Sequence, residues 1–162
     1  MQGRLKELMA TLPQQGAVRW IGVRTARGAP MKELERVVAL TDRHLDGDRH
    51  QGRSGSKRQV TLIQAEHLPA IAGMLGRADV EPALLRRNLL ISGLNLLALK
   101  DRSFRIGDAL LEYTGLCHPC STMETTFGPG GYNAVRGHGG ITARILEGGE
   151  ITIGSAVAAQ PA

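Results

Sequence analysis

Short apolar runs alternate with polar and glycine-rich segments along most of the chain, and this pattern predicts many short strands rather than long helices. The start is different, because Leu5, Leu8, Met9 and Leu12 recur at helical spacing before Pro13, so a helix is predicted over residues 2–12. A second helix is predicted over 66–75. Strands are predicted over residues 17–23, 35–40, 59–63, 88–91, 104–106, 109–113, 141–146 and 150–153.

Glycine turns connect the predicted strands near the end of the chain. The segments Phe104–Ala109 and Ile151–Ala156 share an apolar–Gly–polar pattern, and both are predicted to be hairpin turns. Gly148-Gly149 predicts a further hairpin between strands 141–146 and 150–153. Together with 21 glycines, these features predict a β-rich mixed α/β fold, a small closed or curled β-barrel with peripheral helices.

The bulk properties set limits on the class of protein. A length of 162 residues is enough for a single domain over residues 1–162, with residues 1–13 as a helical extension. Aromatic residues make up 3% of the chain, which argues against a nucleic-acid module that stacks bases, while the net charge of +5 favours anionic partners. Neither a secretory signal nor a long apolar run is evident, so a cytoplasmic protein without a membrane partner is expected.

The two cysteines of the chain lie in one short segment, Cys117-His118-Pro119-Cys120. Four interpretations of this segment stay open at the level of the residues. They are a dithiol redox pair, half of a zinc site that lacks a second C-x-x-C, two small apolar residues in a turn, and one thiolate on a cofactor metal.

Three other segments carry candidate chemistry. Arg86-Arg87-Asn88 combines guanidinium and amide groups that suit a phosphate and a carbonyl or pterin-like edge. The loop 47–58 is rich in glycine and basic residues, which suits an anion. Arg136-Gly-His-Gly-Gly140 brings a charge, an imidazole and flexible backbone together, with His138 as a candidate proton carrier.

In order along the chain, these segments resemble the motifs of the MOSC domain family, named for the C-terminal domain of molybdenum cofactor sulfurases. Gly47-Asp48-Arg49-His50 with Gly52 resembles the family's early loop, and Arg58–Ile63 with Ala65–Leu68 resembles its strand followed by a helix. Arg87-Asn88-Leu89, the turn Phe104–Leu110, and Pro119-Cys120 resemble the family's later motifs, so the likeness covers roughly residues 17–158.

The resemblance implies a barrel-like fold that binds the molybdenum cofactor, molybdopterin with its metal, through the thiolate of Cys120. It implies no pyridoxal phosphate, whose chemistry belongs to a different domain of full-length sulfurases. Catalytic roles are expected for Cys120 and His138. The expected cofactor-binding residues are Arg58, Thr61, Gln64, Arg87, Asn88, Cys117, Arg136, Gly137 and Gly139.

Members of the family reduce N-hydroxylated small molecules or are thought to pass sulfur to a metal centre. The leading expectation is therefore a molybdenum-dependent reductase of a small-molecule substrate, which needs a separate electron-donor protein. The alternatives are a sulfur or cofactor carrier served by a sulfur-donor protein, and a dithiol oxidoreductase that uses Cys117 and Cys120. Cys117 departs from the family pattern, since relatives often carry a residue without a thiol there.

Overall fold

The computed structural model describes residues 2–49 and 53–161, which form ten strands and four α-helices. The strands are β1 (Gly16–Arg24), β2 (Met31–Leu34), β3 (Arg36–Ala39), β4 (Val60–Gln64), β5 (Leu89–Ser92), β6 (Ser103–Ile106), β7 (Ala109–Leu116), β8 (Ile141–Glu147), β9 (Gly149–Thr152) and β10 (Ala156–Ala159). The α-helices are α1 (Gln2–Ala10), α2 (Leu68–Leu75), α3 (Ser121–Phe127) and α4 (Gly131–Val135). Single 3-10 turns cover Ala65–His67, Pro82–Leu85 and Leu96–Leu99.

Seven strands close into a barrel in the order β10-β6-β7-β8-β4-β5-β1. The barrel closes where β1 pairs with β10, with Gly16 opposite Val157. β4 and β5 run parallel, and the other neighbouring pairs of the barrel are antiparallel. β2 extends the sheet beyond β1, while β3 and β9 form a separate two-stranded ribbon. The predicted closed, β-rich mixed fold with peripheral helices is confirmed.

Alternating side chains on the central strands serve two separate hydrophobic cores. Leu62, Leu89 and Ile91 point into the barrel, where they pack with other aliphatic residues and Phe104. Ile63 and Leu90 point outward and pack with the residues of α2, α3 and α4. Because both faces of β4 are covered, all five of its residues are buried. This outer core places the short helices beside the ends of β4 and β5.

The predicted hairpin across Gly148-Gly149 is wrong. β9 pairs with β3 rather than with β8, because both edges of β8 are already occupied by β4 and β7 inside the barrel. The turn Phe104–Ala109 is a hairpin, as predicted. The similar segment Ile151–Ala156 is not, since it carries the chain from the ribbon back to β10, whose partners are β1 and β6. Strands β2 and β10 and helix α4 were not predicted from the sequence.

Helix α1 forms where the sequence predicts it, but none of its residues is buried. Leu5 is 58% exposed and Met9 is 65% exposed, so the apolar stripe faces solvent. Leu12, just beyond the helix, is the member of the stripe that packs against the barrel core. No helix in the described part of the chain has the length and apolarity needed to cross a membrane.

Asn88 joins three strands of the barrel through its buried side chain. Its Oδ1 accepts hydrogen bonds from the backbone N–H and the hydroxyl of Thr61, at 3.0 Å and 3.2 Å, and its Nδ2 donates to the carbonyl of Gly22 at 3.1 Å. The Asp48 carboxylate lies 3.5 Å from the same Nδ2 and forms an ion pair with Arg24. This network pins the loop that contains Asp48 to β1, β4 and β5.

We expect Asn88→Ala to lower the free energy of unfolding by at least about 2 kcal/mol, because each buried polar group left unpaired costs roughly 1–3 kcal/mol. For a domain of this length, that change lowers Tm by roughly 4–8 °C. Thermal unfolding followed by circular dichroism measures the shift. Asn133→Ala on the exposed side of α4 is the matched control and should change Tm little. Equal Tm values for the two variants would contradict the structural role of Asn88.

Candidate functional site

The strand register brings the cysteine loop (residues 117–120) and the glycine loop (residues 136–140) side by side. β7 and β8 are antiparallel neighbours with Leu116 opposite Ile141, so the end of β7 lies beside the start of β8. The backbone N–H of Cys117 donates to the carbonyl of Gly140 at 2.8 Å. An extra residue in β7, Thr114, falls at a shift in this register, and such bulges redirect the strand that follows.

The guanidinium of Arg87 connects the cysteine loop and the glycine loop. It donates to the carbonyls of Gly139 at 2.8 Å, Leu85 at 3.0 Å, His118 at 3.2 Å and Cys117 at 3.4 Å. The residue is 4% exposed. In the described part of the chain, no carboxylate lies within ion-pair distance of it. Carbonyl dipoles therefore take the place of a counter-ion, and burial lowers the pKa of Arg87.

The two arginines of the Arg86-Arg87 pair have separate roles. Arg86 adopts a left-handed backbone conformation with φ of 56°, which is uncommon for a residue with a side chain. This turn ends the 3-10 segment before β5 and lets the two side chains diverge. Arg86 donates to the carbonyl of Ala29 at 2.9 Å, while Arg87 enters the interior. The sequence alone could not assign one arginine to each role.

The thiol of Cys120 is exposed and lies at the start of α3, whereas that of Cys117 is buried at 2% exposure. Partial burial by itself would raise the pKa of Cys120. Hydrogen bonds from the hydroxyl and backbone N–H of Thr122, the charge of Arg87 and the N–H of Met123 outweigh that effect and lower the pKa. Cys120 is therefore exposed and loses its proton more readily than an ordinary cysteine.

Two glycines are required for the close packing of the loops. A Cβ on Gly139 would collide with the carbonyl of Cys117, and a Cβ on Gly140 would collide with the carbonyl of Leu62. Gly140 also has φ of 87° and Gly137 has φ of 85°, conformations that favour glycine. Gly139 and Gly140 thus let protein backbone approach protein backbone, while Gly137 lines an open cavity.

A groove runs past the cysteine loop and consists of two adjoining cavities. The shared walls of the cavities are Gln64, His67, Asn95 and Leu97. The inner, narrow cavity is completed by residues 117–119 of the cysteine loop and by Gly137, Gly139 and Gly140 of the glycine loop. Its other lining residues include Leu96, Leu116 and Ile141, while Cys120 lies outside its lining. The outer, wider cavity extends to Leu12, Gln14 and Glu66. The groove combines apolar walls with imidazole and amide groups, as small-molecule sites do.

Gln64 lines the groove, but its amide is fully engaged by the protein. Its Nε2 donates to the Glu66 carboxylate and to the carbonyl of Leu94, both at 2.8 Å, and its Oε1 accepts from the N–H of Leu96 at 2.9 Å. Burial would raise the pKa of Glu66, but hydrogen bonds from Gln64 and the N–H of Gly93 lower it. Gln64 and Glu66 therefore hold the wall of the groove in place.

The ring of His67, which lines the groove, is in contact with the ring of His138. Their Nδ1 atoms are 3.3 Å apart, and their rings meet edge to face with centroids 4.9 Å apart. Burial, followed by the charge of His138, lowers the pKa of His67. His67 was not among the site residues predicted from the sequence. Its position at the predicted start of a helix, beside Glu66, was the available signal, but the pairing with residue 138 depends on the tertiary fold.

The candidate residues from the sequence divide into three groups. Arg87, Cys117, Gly137, Gly139 and Gln64 meet around the cysteine loop or line the groove. Thr61 and Asn88 are buried and hydrogen-bonded to each other, with their polar groups directed to the protein. Arg58 and Arg136 are exposed.

The basic loop after residue 46 is anchored by Asp42. Its carboxylate accepts hydrogen bonds from Ser54, from the N–H of Gly55 at 2.8 Å, from Gln59 at 3.0 Å and from Arg144 at 3.0 Å. These bonds, led by that from Ser54, lower the pKa of Asp42. His50 and Gly52 of the early motif lie outside the described residues.

No cluster of three or more His, Cys, Asp or Glu residues that could hold a metal ion occurs within residues 2–49 and 53–161. The zinc interpretation of the cysteine pair therefore finds no second pair of ligands among these residues. A metal bound here would therefore have few ligands from protein side chains. A cofactor that carries its own ligands for the metal meets this condition.

Alkylation rates should separate the two thiols. We expect the Cys117→Ser variant, which retains Cys120, to react quickly with iodoacetamide, and the rate to rise with pH through a midpoint below that of an ordinary cysteine thiol. The Cys120→Ser variant, which retains the buried Cys117, should react slowly until the protein unfolds. Mass spectrometry over a pH series measures both rates. Fast reaction of Cys117 in the folded protein would contradict this assignment.

Comparisons with known proteins agree with the fold. A model of the MOSC domain matches residues 46–158. YuaD from Bacillus subtilis has a similar fold, with a TM-score of 0.77 and 18% identity over 91% of this chain and 97% of that one. YiiM from Geobacillus stearothermophilus gives 0.69 and 17% over 90% and 75%, and YiiM from Escherichia coli gives 0.67 and 19% over 89% and 69%. No curated protein matches. The chain therefore belongs to the MOSC domain family, which is associated with binding of the molybdenum cofactor.

Proposed function

We propose that this protein binds the molybdenum cofactor through the thiolate of Cys120 and uses it to reduce an N-hydroxylated small molecule. One observation carries the proposal. Cys120 is exposed and has a lowered pKa, beside a buried arginine that no described carboxylate neutralises. Buried cationic groups without an anionic partner are costly, so Arg87 supports an anionic thiolate at this position.

The residues around Cys120 fit the metal of the cofactor. Soft thiolates suit such metals, and a thiol binds a metal only after it has lost its proton. The lowered pKa of Cys120 makes that proton easier to remove. When bound, the cofactor would supply the two-electron redox change and an open coordination position. Cys120 would be the ligand from the protein, and Arg87 would fix the loop that carries it.

Exposed arginines fit the phosphate of the cofactor better than the arginine and asparagine that the sequence suggested. Arg87 and Asn88 already donate to carbonyls of the protein. Arg58 and Arg136 are exposed, and the charge of Arg58 acts on Arg87, after burial and the opposing effect of Cys117, to lower its pKa. We therefore assign phosphate binding to Arg58 and Arg136, whose planar guanidinium groups suit it.

The exposure of Cys120 also favours a second function, that of a carrier. An exposed thiolate accepts a sulfur atom or a cofactor from a donor protein and releases it to an acceptor. The dithiol function is less well supported, because Cys117 is buried at 2% exposure and its N–H and C=O are tied to Gly140 and Arg87. A resolving thiol needs the freedom to reach its partner sulfur.

Metal content tests cofactor binding. We expect the parent protein, produced in a host that makes the cofactor, to contain molybdenum, and Cys120→Ser to lose it. Loss of a metal ligand should weaken binding by more than the 10–100-fold typical of residues that only support a ligand. Cys117→Ser is the matched control and should keep most of the metal. Elemental analysis measures the content, and equal loss from both variants would contradict the role of Cys120.

Turnover distinguishes a reductase from a carrier. We expect the molybdenum-loaded protein to convert hydroxylaminopurine to the amine over many cycles when a reduced viologen dye supplies electrons, and Cys120→Ser to show no turnover above background. Chromatography of the product measures the rate. A loaded protein without turnover, which instead passes sulfur or cofactor to an acceptor, would overturn the reductase proposal in favour of the carrier.

A further inference from the structure

The geometry points to His67 and His138 as a two-histidine proton relay that delivers protons into the groove. The inference rests on the proposed reductase function and concerns the protons that this reaction consumes. Conversion of R–NH–OH to R–NH₂ and water breaks the N–O bond and requires two electrons and two protons. A separate electron-donor protein supplies the electrons. One proton converts the leaving hydroxyl to water and the other goes to the amine nitrogen, so the remaining question is which group supplies the proton to the leaving hydroxyl.

The contact between the two rings allows one additional proton on the pair. A hydrogen bond between two Nδ1 atoms 3.3 Å apart requires one ring to donate and the other to accept. One ring can then gain a proton at its Nε2 without breaking this bond. A second extra proton would place hydrogen on both Nδ1 atoms and force the rings apart. The pair therefore stores a single proton, and that proton is shared between two residues.

The same contact also gives the relay a direction. His67 lines both cavities of the groove, whereas His138 lies behind it and is part of neither wall. A proton taken up at Nε2 of His138 makes that ring a cation. Transfer of the Nδ1 proton to His67 moves the charge to the groove side, and His67 then releases its own Nε2 proton. This passage delivers one proton to the groove and leaves the hydrogen bond between the rings reversed, so it supplies one of the two protons. Water in the groove supplies the other proton, and exchange of the ring protons with water restores the starting hydrogen bond before the next turnover.

Both rings are held by structure that is independent of their own hydrogen bond. His67 ends the 3-10 turn before α2. The N–H of His138 donates to the carbonyl of Val135 at 2.7 Å, and the following Gly139 is clamped by Arg87. The loop that carries His138 is thus fixed to the loop that carries Cys120. Arg87 therefore fixes the position of His138 relative to Cys120, the proposed metal ligand.

The charges around His67 make it a readier acid than an exposed histidine. On its own turn, Glu66 raises the pKa of His67, but burial and the charge of His138 have larger effects and lower it. From the cysteine loop, His118 and Cys117 line the same cavity. From the glycine loop, Arg136 is exposed, and Arg87 lies beneath Gly139. The net lowering of the pKa of His67 favours proton release into the groove.

The first test uses the protein without its cofactor. Nuclear magnetic resonance of ring nitrogens should show that the pKa of His67 rises in His138→Gln, because the neighbouring charge is removed. His44→Gln is the matched control, since its ring bonds to the backbone of Leu45 away from the pair, and it should leave the pKa of His67 unchanged. An unchanged pKa in His138→Gln would overturn the relay, whether or not the protein binds molybdenum.

The second test uses the molybdenum-loaded protein with hydroxylaminopurine and a reduced viologen dye. His67→Gln should keep the molybdenum content of the parent while kcat falls by on the order of 10²–10⁴-fold, the range for loss of an acid catalyst. In the parent, kcat should fall as pH rises through the pKa of the pair, and this limb should move to higher pH in His138→Gln. His44→Gln should retain the parent profile. Full activity of His67→Gln would overturn the relay, whereas absence of molybdenum from the parent would overturn the proposed function.

Discussion

The buried guanidinium of Arg87 is the interaction on which the site depends. It binds carbonyls from three segments that are distant in sequence: the turn before β5, the cysteine loop and the glycine loop. Hydrogen bonds from a charged donor contribute about 1.5–3 kcal/mol each, and they offset the cost of taking the charge out of water. Without this group, four carbonyls would lose their donor at the point where the loops meet.

Arg87 also helps the cysteine loop to hold Cys120 as a thiolate. Its positive charge cannot leave at physiological pH, since even a lowered arginine pKa stays far above neutrality. The charge favours the anionic form of Cys120, while the guanidinium itself is bound to four carbonyls. The result is an exposed, reactive thiol on a rigid support. Rigid support of a ligand is a general requirement of metal sites.

The site separates its chemical tasks between two loops. The cysteine loop carries the thiol that we propose as metal ligand, and the glycine loop carries one half of the histidine pair. Gly139 and Gly140 lie where two backbone segments touch, and a side chain at either position would collide with a carbonyl. The loops therefore cannot shift past each other without collisions. Gln64 and Glu66 perform a similar task on the opposite wall. Polar residues that a sequence marks as binding groups thus serve first to position the groove.

The sequence by itself determined the elements and the family. Periodicity located α1, α2 and most strands to within a few residues, because the alternation of buried and exposed positions is a local property. The order of short motifs was enough to place the chain in the MOSC family, since each motif reflects a turn or loop that this barrel requires. It also indicated Cys120 as the more interesting thiol.

Only the tertiary structure decided strand partners and the roles of polar side chains. The two Gly-containing segments at 104–109 and 151–156 look alike, yet one is a hairpin and the other joins two separate sheets, because both edges of β10 are paired with β1 and β6. Arg86 and Arg87 are chemically identical and differ by a backbone turn. His67 and His138 are 71 residues apart and meet where α2 packs against α4. Contacts of this kind depend on the closed barrel, which no local pattern encodes.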